Sequence, residues 1–222
     1  MANPLPVIAI VGGTGALGSG LARRWAAAGY GVVLGSRSRE KAQALALEIA
    51  PGNGAPAVRG EDNAAAVRAA DIAVIAVPFS NHDATLDEIS EAAAGKIVVD
   101  TVVPLVPPKV SLVQPPSRGS AGQIAQDRLG PGVRVVSAFH NVAAAKLTAG
   151  GPIDCDVLVF GDEREARDAV IALVEACGTR GIDGGPIANS IAGEALTSIL
   201  IGINRRYKSG GAGIRITGIP GS

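Results

Sequence analysis

VIAIVGGTGALGSGLARRWAAAGYGVVLGSRSREK, from Val7 to Lys41, decides the fold. It opens with a β-branched run, turns through glycines, continues as an Ala- and Leu-rich stretch, and ends in a second apolar run, GVVLG from Gly31. Strand, glycine turn, helix and second strand in this order make the first βαβ unit of a parallel sheet. Gly13, Gly15 and Gly18 form GxGxxG where the first strand hands over to the helix, the setting in which that pattern carries information. Gly13 allows a tight turn, Gly15 opens backbone N–H groups to a pyrophosphate, and Gly18 lets helix and strand pack closely.

The end of the second strand indicates which dinucleotide is expected. An NAD site usually places Asp or Glu there, about 20 residues beyond the glycines, to accept from the ribose 2′-hydroxyl. Here Ser36 and Arg37 occupy the place, with Lys41 one turn later. A carboxylate repels a 2′-phosphate, whereas a hydroxyl, a guanidinium fork and an ammonium surround it, so NADP(H) is the expected cofactor. The competing account is a solvated basic helix start. Cations at a helix N-terminus oppose its dipole and ask for a reason.

Working outward, further strands are expected at IAVIAV from Ile72, KIVVD from Lys96, VRVVSAF, DVLVF and, more weakly, near Ala57. Helical spacing marks REKAQALALEI from Arg39, EDNAAAVRAAD, His82 to Ala94, Glu163 to Cys177, and Ala188 to Tyr207. Between Thr101 and Arg118 the run VVPLVPPKVSLVQPPSR excludes helix interior and central strand alike, leaving a shaped loop or a mobile arm. The closing SGGAGIRITGIPGS reads as a glycine hinge and one short strand. The expected architecture is α/β, a Rossmann-type doubly wound, mostly parallel sheet with a small C-terminal lobe. Residues 1–142 form the dinucleotide-binding part and 143–222 the lobe.

Composition removes several function classes. The 222 residues suffice for one well-filled α/β domain, so a second substrate must sit on or beside the nucleotide domain. Twenty basic and twenty acidic residues cancel, leaving no broad positive field for nucleic acid or an anionic membrane. Cys155 and Cys177 lack CxxC spacing and cannot by themselves form a structural zinc site, and they are expected buried and reduced. The start, MANPLPVIAIVGG, has no basic n-region, and its apolar run breaks at glycines, so a soluble cytoplasmic protein is expected.

The reactions open to the chain are limited by what it lacks. Carbonyl reduction of the short-chain dehydrogenase type needs YxxxK, but the two tyrosines, Tyr30 and Tyr207, have Leu34 and Gly211 in the fourth position. Imine reductases and related hydroxyacid dehydrogenases share the N-terminal pattern but require a long helical C-terminal domain. Two histidines, His82 and His140, are the side chains of the type that ordinarily titrates near neutrality. His140 follows the sixth strand candidate, at the carboxyl edge where ligands bind in open α/β sheets, and is a candidate cleft residue or else a structural histidine. His82 reads as structural. No group is singled out as a general acid or base. Such a site suits hydride passage between two stacked heterocycles, where the protein chiefly supplies proximity.

The segments IAIVGGTGALGSGLA, GSRSREKA, IAVIAVPFSNH, IVVDTVVPL, VVSAFHNVAAAKL, CDVLVFGDE, DGGPIANS and LIGINRRYKSGGAGIRITG together resemble NADPH-dependent reductases of the 8-hydroxy-5-deazaflavin coenzyme F420. The resemblance runs from Val7 to about Gly218. It implies that Thr14, Gly15, Ala16 and Leu17 hold the pyrophosphate, that Ser36, Arg37 and Lys41 hold the 2′-phosphate, and that Val77, Asn81 and Ala144 line the nicotinamide side. It places the deazaflavin between Pro78, Phe79, His140 and the C-terminal segment at Gly213 and Ile214. It also implies a homodimer. Arg205, Arg206, Lys208 and Arg215 are expected near that cleft, either for an anionic tail or as cations complementing a helix end. Two other readings stay open: an NADPH-dependent reductase of a flavin, ferric chelate or imine, and a non-catalytic NADP(H) sensor.

Overall fold

β1 (Ile8–Val11) is buried along its whole length, as a central parallel strand must be when helices cover both faces. In a computed structural model describing residues 4–49 and 57–219, it is followed by α1 (Ala16–Ala27), β2 (Val32–Gly35), α2 (Arg39–Ile49), β3 (Val58–Glu61), α3 (Asn63–Arg68) and β4 (Ile72–Ile75). A short turn, Phe79–Asn81, leads into α4 (His82–Ile89). Next come β5 (Ile97–Asp100), α5 (Ala121–Leu129), β6 (Arg134–Ser137), α6 (Ala144–Thr148), β7 (Asp156–Gly161), α7 (Arg164–Ala176), β8 (Arg180–Gly185) and α8 (Ser190–Tyr207).

The strands form one sheet in the order β3-β2-β1-β4-β5-β6-β7-β8, parallel except where β7 runs against β6. The chain moves outward from β1 in one direction through β2 and β3, then returns to place β4 on the other side of β1. Their carboxyl ends therefore flank the switch point where ligands enter doubly wound sheets. Side chains alternate between two cores. Ile8 and Ile10 pack with Trp25, Leu173 and Phe139 on one face, while Ala9 and Val11 pack with Val67, Leu86 and Ile124 on the other. Trp25 fixes three elements of the first core at once. Its Nε1 donates to the Leu173 carbonyl at 2.8 Å and its ring meets Phe139 edge-on at 5.9 Å.

Local chemistry sets the helix ends. α1 stops where Gly29 takes φ +90, and α5 begins with a capping box between Ser120 and Gln123. The Pro-rich stretch is a shaped loop packed on α8, where Val103, Pro104, Val113 and Pro115 share a crevice with Ile191 and Ala195. Ile187–Tyr207 has the length and apolarity of a membrane span by composition alone, yet Glu194, Ser198 and Leu200 in it are buried in the fold.

Two expectations need correction. The C-terminal segment forms no strand. Asp156 donates its N–H to the Ile214 carbonyl at 2.8 Å, but the Ile216 N–H goes to the Asp156 carboxylate and its carbonyl to Arg180. Side chains thus take the place of a ladder partner. The helix expected from His82 to Ala94 is regular only to Ile89, after which turns lead to Gly95 at φ +75. α5 and β8 were not anticipated.

Candidate functional site

The glycine turn is tighter than its pattern suggests, and its left-handed residue is Gly12, at φ +76, not Gly13. A Cβ on Gly12 would stand 2.7 Å from both the Ala76 carbonyl oxygen and Val77 Cγ1, so the loops after β1 and β4 touch only because residue 12 has no side chain. Gly18 has the expected role, since a Cβ there would lie 2.8 Å from Gly13 Cα. Gly13 is buried behind the turn against Ile10 and Leu34. Gly15 is the N-cap of α1, with no side-chain cap and no acidic residue in the first turn formed by Ala16, Leu17 and Gly18. That leaves unpaired N–H donors and the positive end of the helix dipole facing the cleft, an arrangement suited to a pyrophosphate.

The cleft is about 300 Å³ and brings Thr14, Gly15, Ser36, Arg37, Val77, Pro78 and Asn81 together. Ser36 is held at the end of β2, its Oγ accepting from the Ser38 N–H at 3.2 Å. Arg37 projects from the rim. Arg39 is engaged by Glu61 at 2.8 Å, whereas Arg37 and Lys41 make no ion pair among the described residues. Lys41 is exposed on the first turn of α2, outside the cleft wall. These groups fit a 2′-phosphorylated dinucleotide: a bare helix start, a buried hydroxyl and a free guanidinium.

His140 lies two strands away. β5 separates β4 from β6, so the carboxyl ends of β4 and β6 stand about 10 Å apart. Phe139, forced to φ 67, turns the chain at the end of β6 while its ring stays locked in the core. His140 then sits buried, its ring within 3.0 Å of Ser137 Oγ and its carbonyl accepting from Thr197 at 2.6 Å. It lines a pocket of about 110 Å³ with Ala143, Thr197, Ile201, Asn204 and Ala212. Burial pushes its imidazole down to about 4, with the Asp100 charge and backbone pulling weakly the other way. The ring is therefore neutral at pH 7 and is no ready acid.

The remaining expected residues lie around these two pockets. Ala144 begins α6, Gly213 lies against Cys155 with no room for a side chain, and Ile214 is bonded to the start of β7. Phe79, half-buried, stacks on His82 with centroids 6.0 Å apart. Arg205 and Arg206 fall in the last turn of α8, which Lys208 closes, whereas Arg215 is paired with Asp154. Cys155 and Cys177 are free and buried, and burial pushes the Cys177 thiol up to about 12.

A buried polar layer that sequence reasoning did not assemble forms from α4, β5, α5 and α8. His82 Nε2 meets Asp100 Oδ2 at 2.6 Å, and Asp100 Oδ1 accepts from the Val102 N–H at 2.9 Å. Burial alone would lower the His82 pKa, but the Asp100 carboxylate raises it overall. Glu194 reaches from α8 to the start of α5, accepting from the Ala121 and Gly122 N–H groups at 2.8 and 3.0 Å. Burial raises its carboxyl to about 7 despite those bonds. The S-x-x-Q of Ser120 and Gln123 is a signal that could have found the start of α5, but nothing local in the sequence signals the reach of Glu194.

Comparison with known proteins agrees with this geometry. Residues 7–104 match the family described as NADP oxidoreductase coenzyme F420-dependent. The F420-dependent NADP reductase of Methanothermobacter marburgensis is 40% identical over 96% of this chain and 99% of its own length. That of Methanocaldococcus jannaschii is 40% identical over 96% and 98%. The crystal structure of an F420-dependent NADP-reductase candidate from Arthrobacter sp. fb24 superposes with TM-score 0.81 at 26% identity, covering 96% of this chain and all of that one. Metalloreductase STEAP3 of Rattus norvegicus is 32% identical over 82% of this chain, which spans 36% of its length. An imine reductase of Streptomyces aurantiacus shares the fold, with TM-score 0.63 at 18% identity, and this chain spans 63% of it. With full-length relatives at this identity, the chain belongs to the family of F420-dependent NADP oxidoreductases.

Proposed function

We propose that this protein transfers hydride reversibly between NADP(H) and coenzyme F420. The observation that carries the reading is the full-length likeness to F420-dependent NADP reductases in a chain whose cleft joins a bare helix N-terminus to Ser36 and Arg37. In this reading Thr14, Gly15, Ala16 and Leu17 hold the pyrophosphate at the start of α1, with Gly12 and Gly13 shaping the turn and Gly18 packing against it. Ser36 and Arg37 bind the 2′-phosphate, and Lys41 adds charge from outside. Val77, Asn81 and Ala144 position the nicotinamide. Pro78, Phe79, His140 and the segment at Gly213 and Ile214 bound the deazaflavin. Hydride passes between nicotinamide C4 and deazaflavin C5. The chain contributes orientation and exclusion of water, the larger part of what such a transfer needs. A neutral His140 serves this role, because it adds no charge beside either ring.

Residues 1–142 carry the nucleotide and 143–222 complete the acceptor side. A cytoplasmic homodimer is part of the same proposal. Exposed Ile191 on α8 and Val113 of the Pro-rich loop, which share one crevice, offer apolar surface for a second copy. A ferric chelate is the second acceptor to consider, because of the likeness to a metalloreductase. Supplying NADPH with F420, a free flavin, a ferric chelate or a cyclic imine in parallel tests the reading. Rapid NADPH oxidation is expected with F420 alone. Turnover with the ferric chelate and none with F420 would reverse the order.

A further inference from the structure

The nucleotide cleft contains a carboxylate, Glu88, where its ligand is expected to be strongly anionic. Glu88 lies on the face of α4 that also presents Ala84 and Thr85 to the cleft, with Asn81 just before the helix, and it is exposed at the rim. It is not loose there. Asn63, the first residue of α3 and only 3% exposed, donates its side-chain N–H to Glu88 Oε2 at 3.0 Å. In doing so Asn63 leaves its own Oδ1 buried without a hydrogen-bond partner, over Gly35 at the end of β2. An unsatisfied buried acceptor in a native fold asks for a compensating role, and here the visible consequence is an aimed carboxylate.

A carboxylate beside phosphates is repelled unless it meets a donor. With the 2′ position phosphorylated, the adenosine end of NADP(H) offers two: the ribose 3′-hydroxyl and the exocyclic amino group of adenine. Ser36 and Arg37 line the cleft from the end of β2, and Asn63 and Glu88 line it from α3 and α4. We propose that Glu88, oriented by Asn63, is the specificity-determining residue for the base, accepting from the adenine 6-amino group through the oxygen that Asn63 leaves free. The proposal rests on the reading of this cleft as the NADP(H) site.

The test compares binding of NADPH with its hypoxanthine counterpart, in which an oxo group replaces the amino donor. The unmodified protein is expected to bind NADPH about tenfold more tightly, the size of one hydrogen bond to a charged group at a half-open site. Glu88→Gln, whose amide can accept from one base or donate to the other, should bring the two within about twofold while leaving the preference for NADPH over NADH intact. Equal binding of both dinucleotides by the unmodified protein, as contact with the 3′-hydroxyl would give, overturns the proposal. So does undiminished discrimination in Glu88→Gln. Failure of the underlying reading looks different: Arg37→Asp would then keep its full affinity for NADPH.

Discussion

Two buried titratable residues, Glu194 and His140, are displaced in opposite directions by the same cause, removal from water. Folded Glu194 titrates at about 7 against an ordinary 4.5, and folded His140 at about 4 against 6.5. Above pH 4.5 the unfolded chain releases the Glu194 proton that the folded chain keeps until about 7, so this stabilisation is lost as pH rises through that window. Below pH 6.5 the unfolded chain takes up a His140 proton that the folded chain refuses until about 4, so that stabilisation is lost as pH falls. Between 4.5 and 6.5 the two slopes oppose each other. Glu194→Gln removes one of them. Thermal unfolding of that variant should show Tm rising with pH across this range more steeply than in the unmodified protein, and parallel profiles would contradict the assignment. At this scale the place of Ser36 and Arg37 on the cleft was legible in the sequence, because it follows from the end of a strand. Glu194, Asn63 and Glu88 were not, since the partner of Glu194 stands 72 or 73 positions away and Asn63 meets Glu88 across 25.

Among the elements, α6 shows how a short helix survives. Five residues make too little helix to persist alone, and its end would leave carbonyls without donors. Arg24 of α1 supplies them: Nε to Leu147 at 2.7 Å, Nη2 to Lys146 at 2.8 Å and Nη1 to Gly151 at 2.6 Å. Close approach is possible because Gly20 rests on Leu147, where a Cβ would come within 2.8 Å. Arg24→Ala should therefore cost about 2 kcal/mol, the value of charge-assisted bonds left unmade. Hydrogen exchange should accelerate across 144–151 ahead of the sheet, and uniform acceleration over the whole chain would argue against a local role. Strands such as IAIV and IVVD were legible because a sheet covered on both faces writes continuous apolar runs. β8, RGIDGG, was not, because its place is made by β7 and α7 and not by its own propensity. The tail SGGAGIRITGIPGS reads as a glycine hinge and one short strand, but the side chains of Asp156 and Arg180 take its Ile216 bonds.

For the whole molecule, the order of strands places two pockets along one sheet edge, one opening between β1 and β4 and the other at the end of β6. That layout, a nucleotide cleft with a second pocket about two strands along, suits a carrier-to-carrier hydride exchange. The architecture was legible from length and the βαβ rhythm; the buried polar layer of His82, Asp100 and Glu194 was not, because it assembles from α4, β5 and α8 only on folding. The account stands on direct passage between two rings held in contact. NADPH carrying deuterium at C4 on the transferred face, incubated with the enzyme and F420 in ordinary water, tests this most directly. Deuterium should appear at C5 of the reduced deazaflavin. Reduced deazaflavin carrying solvent hydrogen at C5, or NADPH left unoxidised beside F420, would contradict it.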